Sequence, residues 1–89
     1  MNNAITDVLA ERQRQKDVEG QNEQHDDDYA NSELSRAAAC YAYPEIMSLA
    51  GDKIWPWHLC WWKPKSDREN LVRAAALLIA EIERIDRKS

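Results

Sequence analysis

Ser66-Asp67-Arg68-Glu69-Asn70-Leu71-Val72-Arg73-Ala74-Ala75-Ala76-Leu77-Leu78-Ile79-Ala80-Glu81-Ile82-Glu83-Arg84-Ile85 is the stretch that decides the fold. It opens as a capping box, with Ser66 at the N-cap and Glu69 three residues on, each able to satisfy a backbone donor of the other. Behind the cap, Leu71, Ala75, Leu78, Ile82 and Ile85 recur at spacings of four, three, four and three. That rhythm lays one apolar seam along about five turns of helix. Ala74 and Ile79 broaden the seam, while Glu81, Glu83, Arg84 and Arg87 fall off it. Such a helix has to pack on something.

The N-terminal segment predicts a helix over Asn3–Glu19, capped by Asn2 or Asn3 and ended by Gly20. Its apolar stripe is short: Ile5, Val8 and Leu9 share a face, but Glu11 to Asp17 is polar all round. A helix of this kind is either a solvated arm or a contributor to a polar site. It is too polar to cover the C-terminal seam, so self-association is the expected remedy. Between the two ends, Gly20 to Asn31 reads as an acidic loop, and a second helix runs from about Ser32 to Tyr43, stopped by Pro44. Leu34, Ala38 and Tyr41 lie on one face of that helix, and Ala37-Ala38-Ala39 permits close approach to a neighbour. Pro44 to Gly51 is compatible with a short helix carrying Pro in its first turn. Then comes Trp55-Pro56-Trp57-His58-Leu59-Cys60-Trp61-Trp62-Lys63-Pro64-Lys65, which holds all four tryptophans between two prolines and so reads as irregular.

With 89 residues the chain makes one domain, 1–89. At this size about two-thirds of the unfolded surface is hidden on folding, which leaves stability thin without association. Two Gly and three Pro are too few for an all-β sandwich or barrel, which turns every ten residues or so. The expected fold is all-α: a small bundle of three main helices with an irregular Trp-rich connection, completed by oligomerisation. The net charge of -4 argues against a general nucleic-acid backbone binder, though not against a local cationic pocket. No run of eighteen apolar residues exists, so no membrane span is expected. The start, Met1-Asn2-Asn3-Ala4-Ile5-Thr6-Asp7, lacks the regions of a signal peptide, and the chain is expected in the cytoplasm. Cys40 and Cys60, without CxxC spacing, read as reduced thiols packed as small apolar groups.

Three groups of residues carry possible chemistry. His25, Asp26, Asp27 and Asp28 are candidate metal ligands, with Glu33 nearby in sequence. Consecutive residues point in different directions, however, and the spacing lacks the alternation of an EF-hand, so the plainer reading is a solvated loop. Trp55, Trp57, Trp61 and Trp62 beside Lys63, Lys65 and Arg68 suit a base stacked on indole with its phosphates held by cations. Alternatively the indoles are simply the core of a domain that contains no Phe. Cys60 and His58 are two positions apart in an irregular segment, which gives no ground for a nucleophilic pair.

Val8-Leu9-Ala10-Glu11-Arg12-Gln13-Arg14-Gln15 with Gly20-Gln21-Asn22 and His25-Asp26-Asp27, and Arg68-Glu69-Asn70-Leu71-Val72-Arg73-Ala74-Ala75-Ala76 continuing to Arg87, together resemble the short phage- and prophage-encoded relatives of MazG-like all-α NTP pyrophosphohydrolases. The chain also resembles small phage proteins of unknown function that carry the acidic loop, the Ala-Ala-Ala-Cys-Tyr helix and the tryptophan segment. The resemblance covers about half the chain and implies an oligomeric helical protein acting on nucleoside triphosphates. It also implies Mg²⁺ held by carboxylates in a Glu-Glu-x-x-Glu pattern and a later Glu-x-x-Asp. Here Ser32-Glu33-Leu34-Ser35-Arg36 keeps only Glu33 of the first pattern, and Asn70-Leu71-Val72-Arg73 has neither carboxylate of the second. Arginine at a Mg²⁺-ligand position repels the metal and favours phosphate directly.

The expectation that follows is a phage-type accessory protein that sequesters a nucleotide or nucleotide-derived signal, such as one raised by host defence, without turnover and without a cofactor. In it, Trp55, Trp57, Trp61 and Trp62 stack on the base, while Arg36, Lys63, Lys65 and Arg73 meet the phosphates. The rivals are a Mg²⁺-dependent pyrophosphohydrolase built from Glu11, Glu33, Asp26 and Asp27, and a protein-interaction module that docks on a host factor.

Overall fold

The computed structural model describes residues 3–18 and 32–88. Among these residues there are four α-helices and no strand: α1 (Asn3–Val18), α2 (Glu33–Ala42), α3 (Ile46–Ile54) and α4 (Asp67–Lys88), with a single 3₁₀ turn at Leu59–Trp61 before α4. The all-α expectation therefore stands, with four helices where three main ones were expected. The extra one is the segment after Pro44, which runs past Gly51 to Ile54 through non-helical backbone at Ala50 (φ −152°, ψ 25°).

Local chemistry explains where the helices start and stop. Ser66 Oγ accepts from the Glu69 amide at 3.2 Å and donates to Glu69 Oε1 at 2.8 Å, so the capping box closes largely side chain to side chain. The α2 helix begins after Ser32, whose left-handed backbone (φ 61°) forms no side-chain cap. It ends where the Tyr43 amide returns to Ala39 O at 3.0 Å and Pro44 follows.

The core lies between α2 and α4. Leu34, Ala37, Ala38, Cys40 and Tyr41 of α2 meet Ala74, Leu77 and Ala80 of α4, and Trp55 joins them. The seam of α4 is left uncovered by the other helices, as the polarity of α1 led one to expect. The regular seam faces outward: Leu71, Leu78, Ile82 and Ile85 are 54%, 46%, 58% and 52% exposed. The reason lies in α2, which presents two alanines and so draws a small-residue face of α4 close. A row of Leu and Ile would hold the helices apart.

The α1 helix packs on α4 by its polar side. Arg12 and Gln15 are its buried residues, whereas Ile5 and Leu9 are mostly exposed. Of the two readings open for α1, the solvated arm is excluded by this packing. No helix among the described residues is long and apolar enough to cross a membrane.

Candidate functional site

Where α1 passes the start of α4, a groove of about 400 Å³ opens, lined by Asp7, Ala10, Glu11, Arg14, Lys65, Arg68, Glu69, Val72 and Arg73. Four cations face three carboxylates. Arg14 holds Glu11 through two parallel hydrogen bonds of 2.7 Å, a fork that follows from their i,i+3 spacing on α1. Arg73 Nε lies 3.6 Å from the same Glu11 carboxylate, and Gln15 Nε2 donates to it at 3.2 Å. Burial pushes the Glu11 carboxyl up, but the Arg14 hydrogen bond and charge, then the Arg73 charge and Gln15, outweigh it and hold it below its ordinary range. Arg68 pairs with Asp7 at 2.8 Å on the solvent side.

Arg73 joins the groove to the aromatic region. Its Nη1 donates to Tyr41 Oη at 3.3 Å and to the Lys63 carbonyl at 3.4 Å, and its guanidinium stands 5.1 Å from the centre of the Tyr41 ring. Asn70, 4% exposed, fixes the approach to α4: it accepts from the Lys65 amide at 2.7 Å and donates back to the Lys65 carbonyl at 3.2 Å. Lys65 is thereby held at the mouth of the groove by its backbone.

The tryptophans do not form one wall. Trp55 is buried, with its indole N–H donating to the His58 carbonyl at 3.1 Å. Its ring is flanked by Tyr41, Trp57 and Trp62 at centroid distances of 5.8, 5.4 and 5.1 Å, and Tyr41 lies 4.7 Å from Trp62. Trp57 and Trp62 are half-buried against this core. Trp61 alone of the four is mostly exposed, with Lys63 Nζ 5.9 Å from its ring. The expectation of four stacking indoles thus narrows to Trp61 as the open one, because a chain without Phe uses its other indoles to fill the core.

Arg36 also departs from its expected role. Its Nε donates to the Ile54 carbonyl at 3.0 Å and its Nη2 to the Lys53 carbonyl at 3.3 Å, binding the C-terminal end of α3 outside the groove. His58 Nδ1 accepts from the Cys60 amide and so opens the 3₁₀ turn. Cys60 is exposed, while Cys40 is buried, and burial pushes its thiol pKa up. His25, Asp26, Asp27 and Asp28 lie outside the described residues, and Glu33 stands in the first turn of α2. Among the described residues no three His, Cys, Asp or Glu side chains gather closely enough to hold a metal ion.

Of the cations singled out in the sequence, then, the structure brings Lys65, Arg68 and Arg73 together, and adds Arg14 and the positioning residue Asn70. Arg14 lies in a polar run whose inward face the sequence does not reveal. Asn70 follows the capping box by one residue, the only signal that it faces the preceding loop. No protein-family model, curated relative or solved structure matches the chain.

Proposed function

We propose that this chain binds a phosphate-bearing ligand of nucleotide type in the groove between α1 and the start of α4, and holds it without turnover. The observation that carries this reading is the gathering of Arg14, Lys65, Arg68 and Arg73 around one cavity at the N-terminal end of a 22-residue helix. Guanidinium forks and a helix N-terminus both favour phosphate oxygens. Asp7 and Glu11 hold these cations in position, and an arriving phosphate competes with those carboxylates for the same donors. Trp61, exposed beside Lys63 and outside the lining of the groove, is the indole left open to a base. The resemblance to phage-encoded proteins supports the narrower role of a cytoplasmic phage-type accessory protein acting against a host signal.

The test is to mix the protein with a panel of linear and cyclic nucleotides plus Mg²⁺. Mass spectrometry then quantifies what stays free, what is converted and what heat denaturation releases. Intact nucleotide recovered from the denatured protein is the expected result, with affinity lowered about tenfold or more in Lys65→Ala/Arg68→Ala. Conversion to a monophosphate and pyrophosphate would replace binding by hydrolysis, and a panel left free and unchanged would sink the ligand reading. A second reading, a protein-interaction module or homo-oligomer, is favoured by one observation, the outward apolar row on α4.

A further inference from the structure

We propose that the outward row of α4 is the contact surface for a second copy of this chain, paired antiparallel about a two-fold axis. The inference sharpens the homo-oligomer reading and meets the anion groove only at Arg68, which the pairing below sets opposite Ile85. Leu71, Ala75, Leu78, Ile82 and Ile85 follow the alternating four-three spacing of a coiled-coil seam. From Leu71 to Ile85 they extend over ~21 Å of helix. Four of the five stand about half exposed or more, which is a large apolar strip for so small a domain.

The charges at the ends of the strip select the occupant. α4 carries Asp67, Arg68 and Glu69 in its first turn and Asp86, Arg87 and Lys88 in its last, one net negative end and one net positive. Asp67, Ala74, Glu81 and Lys88 are seven apart and so share one edge of the strip. In an antiparallel pair like edges face each other, which sets Asp67 of each copy against Lys88 of the other, twice per dimer. Leu71 then meets Ile82 of the second copy, and the small Ala75 meets Leu78. A parallel pair would bring the two Asp67 ends together and the two Lys88 ends together. The helix dipoles favour the antiparallel arrangement as well. A strip whose own two ends are electrostatic complements fits a copy of itself.

Sedimentation equilibrium of the full chain, from micromolar to millimolar, should give twice the chain mass. Leu78→Glu, near the middle of the strip, should raise the dimer Kd at least ~100-fold. Circular dichroism of that variant should be unchanged, because the side chain already meets water. Ile82→Glu, at an even more exposed position, repeats the test should Leu78→Glu perturb folding. Asp67→Lys should weaken the dimer about tenfold, and adding Lys88→Asp should restore it. A wild-type chain that stays monomeric, or a dimer that persists in both folded glutamate variants, overturns the surface. Failure of Lys88→Asp to rescue Asp67→Lys overturns the antiparallel pairing.

Discussion

One helix, α4, is packed from two sides by unlike chemistry. Toward α2 it offers Ala74, Leu77 and Ala80 to a neighbour made of Leu34, Ala37, Ala38 and Tyr41, with Trp55 closing the end. Toward α1 it offers Arg68, Arg73 and Glu83, which meet Asp7, Glu11 and Arg12. The first contact is insensitive to salt and pH, and it tolerates little change in volume. The second is held by charges, so it is the contact expected to respond to protons and salt.

The largest effect should come from a cavity on the apolar side. Leu77→Ala is expected to cost about 2–5 kcal/mol in urea denaturation followed by circular dichroism, and a loss below that range would erase the distinction between the two sides. Arg73→Ala removes the one side chain that spans both, with its bonds to Tyr41 and Lys63 and its proximity to Glu11, and should cost about 1–2 kcal/mol by the same assay. Ser66→Ala removes the cap shared by every contact of α4 and should cost about 1 kcal/mol.

The remaining predictions concern the α1 side. Glu11 has a folded pKa depressed below its ordinary 4.5, so its contribution is complete above the unfolded value and is lost as pH falls through the folded one. Melting temperatures measured from about pH 6 to pH 3 should therefore decline, and Glu11→Gln should flatten part of that decline. An unaltered pH profile in the Glu11→Gln chain would mean that this cluster does not govern acid sensitivity. Asp7→Asn should be the mildest change, under about 1 kcal/mol and weaker still in high salt, because both partners of the Asp7–Arg68 pair are open to water.

The two sides of α4 also differ in how far the sequence makes them legible. The capping box at Ser66 and Glu69 and the stop at Pro44 are local, and they can be read from adjacent residues. Which face of α4 turns inward depends on a partner helix: Ala37 and Ala38 admit a close-packed face, and the bulky row is left outside. The same holds for the site. Lys65 and Arg73 are visible as cations near the tryptophans, but Arg14 joins them only through the way α1 crosses α4. Arg36, equally basic, is drawn off by the Lys53 and Ile54 carbonyls. Trp55 and Trp61 are indistinguishable as letters and differ only in what the fold brings against them.

That last difference gives the molecule two optical channels. Trp55, Trp57, Trp62 and Tyr41 stand 4.7 to 5.8 Å apart between neighbouring ring centres, close enough for their excited states to couple. The near-ultraviolet dichroism of this quartet tracks the integrity of the core. Trp61, open to water beneath the Lys63 ammonium, should emit at longer wavelength and be the indole iodide reaches most readily. Were a nucleotide to cover Trp61 as proposed, quenching should fade as it is added while the dichroism holds steady.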